Sequence, residues 1–173
     1  MTLPSRLGAG ADGRGAIRSW RRPAVRVVVQ RVKKASVVVD GKETGCIGRG
    51  FLVLAGFTKT DNEETLRWMA RKTASLRVFD DADGKMNLGL DSVGGAILVV
   101  SQFTLYGDCR KGTRPSFDKS APPESAETLY RKFVSVLREE TPYDIQTGVF
   151  QAHMDVSLVN DGPVTLIIEK EAE

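Results

Sequence analysis

A single histidine, His153, stands in a chain of 173 residues, and that scarcity excludes much chemistry at once. One imidazole cannot hold a structural or catalytic zinc, and no second histidine lies at an HxE or HxxxH spacing from it. Nucleophilic triads are left with one conceivable base, and no GxSxG elbow accompanies it. Two cysteines, Cys46 and Cys109, fall outside any CxxC pattern, so two free thiols in a reducing compartment are expected. No apolar run reaches the about 18 residues of a membrane span, and the start lacks the apolar core of a secretory signal. These absences favour a soluble, cytoplasmic protein.

A basic body is missing too. The first 24 residues carry Arg6, Arg14, Arg18, Arg21 and Arg22 against Asp12 alone, so the net charge of +3 leaves residues 25–173 at −1. Contact with RNA would therefore rest on a local patch and on shape, since phosphate affinity follows the cations placed against the backbone. Residues 1–24 show no sustained period and read as a disordered Arg/Gly-rich extension. Residues 25–173 form the domain, and 41% hydrophobic against 27% charged residues is enough for one globular core.

From Val25 the pattern is β-branched and dense. "VRVVVQRV" predicts a strand, "ASVVVDGKETGCIG" two short strands around Asp40-Gly41, and "GFLVLAGF" another buried strand. "TDNEETLRWMARKTASL" predicts a helix capped by Asp61 with Glu64, its core face made by Leu66, Met69, Ala70, Thr73 and Leu76. "RVFDDADGKMN" gives a strand and turn, and "GAILVVSQFTLYG" a long buried strand. "PESAETLYRKFVSVLREE" gives a second helix with Leu129, Phe133, Val136 and Leu137 on one stripe. "DVSLVN" and "VTLIIEK" close the chain as strands. The expected fold is α/β, a single domain of mixed, mostly antiparallel β-sheet covered by two main helices.

Two motifs read as turns rather than sites. Asp81, Asp83 and Gly84 lack the acid that a calcium loop needs at its twelfth position, and Gly45, Gly48 and Gly50 lack the strand-to-helix setting of a dinucleotide site. A third stretch, "VNDGPVTLII" (159–168), looks like a hairpin at Asp161-Gly162. Yet Pro163 has no N–H to close such a turn. Finally, "SQFTLYGD" (101–108) places Ser, Gln and Thr at the end of the most apolar strand. These groups either bond locally or line a pocket mouth. With one histidine and no nucleophile elbow, a hydrolase built here would rely on positioned backbone N–H groups.

SQFTL at 101–105, NDGPVT at 160–165 and the opening "VRVVVQRVKKASVVVDG" together resemble the D-aminoacyl-tRNA deacylases, from about Val25 to Lys170. The resemblance implies a homodimeric tRNA-editing hydrolase without cofactor or metal. Its substrates would be D-aminoacyl-tRNA and glycyl-tRNA of alanine tRNA, bound by the 3′ acceptor end. It implies a cis Gly162-Pro163 bond whose carbonyls enter the partner subunit's pocket and exclude L side chains. Arg31 would orient that motif, though as a residue it reads equally as a surface cation on the first strand. Ser101, Gln102, Phe103 and Thr104 would form the catalytic pocket, with the Phe103 N–H donating to the ester carbonyl and the tRNA 2′-hydroxyl assisting water. Arg110, Lys111, Arg114 and Lys119 would meet the acceptor stem. The alternatives are a hydrolase of another acyl ester or thioester, and a non-catalytic RNA-binding module.

Overall fold

The computed structural model describes residues 25–170, so the expectation for residues 1–24 lies outside the described residues. One long strand organises the fold: β1 (Arg26–Val39) merges what the sequence divides into two runs. It pairs antiparallel with β2 (Lys42–Ile47), β3 (Gly50–Gly56) and, along its other edge, β8 (Asp155–Glu169). Beyond β3 the sheet continues in parallel through β6 (Ala96–Ser101) to β7 (Ile145–Thr147). A two-stranded ribbon, β4 (Phe79–Asp80) with β5 (Met86–Leu88), and the short α2 (Leu90–Val93) fill the first crossover.

Both parallel connections run through a helix, α1 (Glu63–Ala74) and α3 (Pro123–Glu140), as parallel pairing requires. The helices cover one face. Leu66, Met69, Phe133, Val136 and Leu137 pack there on Val27, Val29, Phe51, Val53, Ile97 and Val99. The opposite face buries Leu52, Leu98 and Val100 with Val32, Ala35, Val37 and Ile47. β3 and β6 are thus buried on both sides, which explains their unbroken apolar runs. β2 curls over this second face until the sheet almost closes: a Cβ on Gly45 would stand 2.6 Å from the Thr147 carbonyl oxygen.

Three expectations need correction. The cap of α1 is Asn62, whose side chain accepts from the Thr65 N–H while the Thr65 hydroxyl accepts from the Asn62 N–H. Asp61 instead folds back to accept the Thr58 N–H at 2.9 Å. The long strand predicted through "SQFTLYG" stops at Ser101, and Phe103–Tyr106 form a single 3-10 turn. The two closing strands expected from "DVSLVN" and "VTLIIEK" are one: β8 passes through "NDGP", and the polypeptide does not reverse.

Candidate active site

The parallel strands β3 and β6 end side by side, with Ala55 opposite Ser101 and the Gln102 N–H donating to the Ala55 carbonyl at 2.8 Å. Past this point the chain turns away and leaves a cavity of about 690 Å³. Ser101, Gln102 and Phe103 form one wall. The segment from Phe117 to Pro123 and residues 150–154 form the others. Phe103 is 56% exposed, its ring edge-on to Phe117 at 5.1 Å, and its carbonyl accepts from the Ser120 hydroxyl at 3.1 Å. The Gln102 side-chain amide donates to the Thr104 hydroxyl, and Thr104 stands beside the wall rather than in it.

Phe103 and Thr104 open the 3-10 turn, so no carbonyl within the turn precedes them to accept their N–H groups. Titratable side chains are sparse by comparison. Those lining the cavity are Lys59, Asp118 and His153; Asp118 accepts the Ser116 hydroxyl at 2.7 Å, and His153 is a surface histidine 3.9 Å from an Asp155 oxygen. The arrangement offers a largely apolar cleft lined at one side by Phe103, the first residue of the 3-10 turn. Among the described residues no group of three or more His, Cys, Asp or Glu is placed to hold a metal ion, and no helix is long and apolar enough to cross a membrane. The far walls escape sequence reading because two separate loops supply them; the left-handed Gln151 and the pair Pro122-Pro123 are the local signs.

The second motif forms a bulge. Gln30 pairs with Thr165 and Val32 with Asn160, so Arg31 alone on β1 faces residues 161–164 on β8. Within the bulge the Gly162-Pro163 bond is cis, Gly162 has φ +132°, and both residues are exposed. Arg31 is 5% exposed and is no surface cation. Its Nε donates to the Asp161 carbonyl at 2.9 Å, and one terminal nitrogen donates to the Val78 carbonyl at 2.5 Å with Asp80 Oδ1 at 3.5 Å. The Phe79 ring lies beside its guanidinium at 6.0 Å. The bulge is therefore tied to the β4 strand through one buried cation.

The two motifs stand apart within the chain. Arg31 pairs with Phe51, whereas Ser101 is level with Ala55, four residues further along β3. That separates them by about 13 Å along the strand direction alone. Residues 161–164 are absent from the cavity wall.

Of the expected RNA-contacting residues, Arg110 is engaged with Asp108, whose carboxyl its guanidinium holds well below the usual carboxylate range. Lys111, Arg114 and Lys119 are exposed on the loop that leads from the 3-10 turn to the cavity.

Comparison with known proteins identifies the family. The family model described as D-Tyr-tRNA(Tyr) deacylase matches residues 28–169. A D-aminoacyl-tRNA deacylase from Thermotoga petrophila is 54% identical over 145 residues, covering 84% of this chain and 97% of the relative. One from Chloroherpeton thalassium is 57% identical over 145 residues, covering 84% and 95%. Among solved structures, the c-Myc DNA Unwinding Element Binding Protein superimposes with a TM-score of 0.79 at 42% identity, covering 84% of this chain and 98% of that one. A probable eukaryotic D-amino acid tRNA deacylase shares the fold, with a TM-score of 0.72 at 19% identity and coverage of 84% and 99%. The chain belongs to the D-Tyr-tRNA(Tyr) deacylase family.

Proposed function

We propose that this protein edits tRNA by hydrolysing the ester of D-aminoacyl-tRNA, and of glycyl-tRNA mischarged on alanine tRNA, while sparing L-aminoacyl-tRNA. The observation that carries the reading is the pair of exposed elements just described. One is an apolar cavity lined in part by Phe103, and the other an exposed Gly162-Pro163 backbone 13 Å or so away along the sheet. One chain does not bring them together. A second copy would, and the long edge of β8 supports such pairing, because it leaves Leu158, Val159 and Ile167 exposed on a strand joined to the sheet on one side only.

In this homodimer the cavity of one subunit receives the aminoacylated 3′ end, and the 161–164 bulge of the other closes it. A wall of main chain, held by Arg31, faces the Cα of the substrate. Glycine and D residues leave that wall free, whereas an L side chain runs into it. Because the selection is made by backbone, the identity of the D side chain matters little. Water then adds to the ester carbonyl, helped by the tRNA 2′-hydroxyl. Charge develops on the carbonyl oxygen next to the Phe103 N–H, and the acyl–oxygen bond breaks to free the amino acid and the 3′-hydroxyl. A single oxyanion donor of this kind contributes on the order of 10²–10³ in rate. Ser101 and Gln102 shape the cavity, while Lys111, Arg114 and Lys119, with Arg110 at their side, meet the acceptor stem in the cytoplasm.

The test presents D-Tyr-tRNA, L-Tyr-tRNA, Gly-tRNA of alanine tRNA and an acyl thioester to the same preparation. Rapid loss of the D and glycyl esters with the L ester intact is expected. Equal loss of the L ester removes the chirality claim, and turnover of the thioester alone moves the protein to another hydrolase class.

A further inference from the structure

The 3-10 turn that carries the Phe103 amide lies outside the sheet ladder and is held from two sides. Beneath it, Gly56 at the end of β3 leaves room: a Cβ there would stand 3.0 Å from the Gln102 carbonyl oxygen and 3.2 Å from both Leu105 Cβ and the Tyr106 ring. Beside it stands Arg26, at the start of β1 and paired with Gly56 in the register. One Arg26 terminal nitrogen donates to the Leu105 carbonyl at 2.5 Å, its Nε donates to the Glu169 carboxylate at the end of β8, and its guanidinium covers the Tyr106 ring at 5.0 Å. The Leu105 carbonyl is one of the last in the turn, where no further N–H of the turn remains to donate to it.

We propose that Arg26, aligned by Glu169, is a positioning residue for ester hydrolysis: it locks the Phe103–Tyr106 turn to the sheet so that the Phe103 amide meets the reacting carbonyl. Arg26 does not line the cavity and acts only through the turn. The inference rests on the proposed role of the Phe103 amide. Leu105 is two residues from Phe103 in the same turn, so movement at the gripped carbonyl is transmitted to the amide. Lysine cannot replace the guanidinium here, since one ammonium does not reach the carbonyl, the carboxylate and the ring face together.

The experiment compares Arg26→Ala, Arg26→Lys and Glu169→Gln with the unaltered protein on D-Tyr-tRNA, well below each melting temperature. Arg26→Ala is expected to lower kcat on the order of 10- to 100-fold, with KM nearly unchanged, as for a small misplacement of a reacting group. Arg26→Lys should recover little, Glu169→Gln should fall between, and added guanidinium ion should restore part of the Arg26→Ala rate. A purely structural arginine would lower the melting temperature but leave kcat and its rescue unaffected. Unchanged kcat in both Arg26 variants, or a loss carried by KM alone, overturns the proposal. An inactive unaltered protein overturns the proposed function itself, and this inference with it.

Discussion

Arg31 and Gly162 show how much one side chain and one missing side chain can fix. Arg31 is buried, yet its charge is met by the Asp161 and Val78 carbonyls and by Asp80, so the cation organises three segments at once. A Cβ on Gly162 would stand 2.9 Å from a Val164 methyl and 3.0 Å from Arg31 itself, at a φ of +132° that other residues rarely adopt. Gly162→Ala is therefore expected to cost about 1–3 kcal/mol of local strain and to abolish most D-Tyr-tRNA turnover, while RNA affinity in a filter-binding assay stays within a few-fold of the parent. A parallel loss of affinity would make the bulge an RNA-binding element instead. Asp61 gives a separate check on the fold. Burial raises its carboxyl to about 6, only partly opposed by the amides of Thr58 and Val25. The folded state thus holds a proton that the unfolded chain, with a pKa of about 3.9, releases earlier, so this residue makes stability fall as pH rises from about 4 to 6. Thermal melts across that range should show the trend, and Asp61→Asn should flatten it.

At the scale of elements, the sequence is most legible where periodicity decides. Both main helices and the apolar runs of β3 and β6 follow from spacing, because each buries a regular face. Its local rules fail where tertiary contacts override them. Asp61 fits a capping box as well as Asn62 does, and only the fold assigns it to Thr58 instead. The apolar run after Ala96 continues past Ser101, yet the strand ends because Gly56 admits a turn on top of β3. Pro163 correctly argues against a hairpin, but nothing local says that the excess of residues becomes a bulge opposite Arg31. Gly45 belongs to this group too: it reads as a turn glycine, and instead it lets β2 close on β7. Gly45→Val is expected to destabilise by about 1–3 kcal/mol through overpacking against Thr147, seen as a lower midpoint in urea. An unchanged midpoint would mean that β2 does not press on β7.

For the whole molecule, the decisive feature is that its two motifs occupy different stations on one sheet. The sequence identifies both motifs through their resemblance to a family, but their separation follows from strand register, which no short motif contains. A two-fold partner would bring the bulge of each copy to the cavity of the other, giving two equivalent sites per dimer. This predicts complementation between damaged subunits. Gln102→Ala impairs the cavity and Gly162→Ala the bulge, so each homodimer is expected to turn over D-Tyr-tRNA poorly. After the two are unfolded and refolded together in equal amounts, half the dimers are mixed and each mixed dimer regains one intact site. Activity should then rise to about a quarter of the unaltered protein's. If the refolded mixture forms mixed dimers and remains no more active than its two components, the site is not shared between subunits.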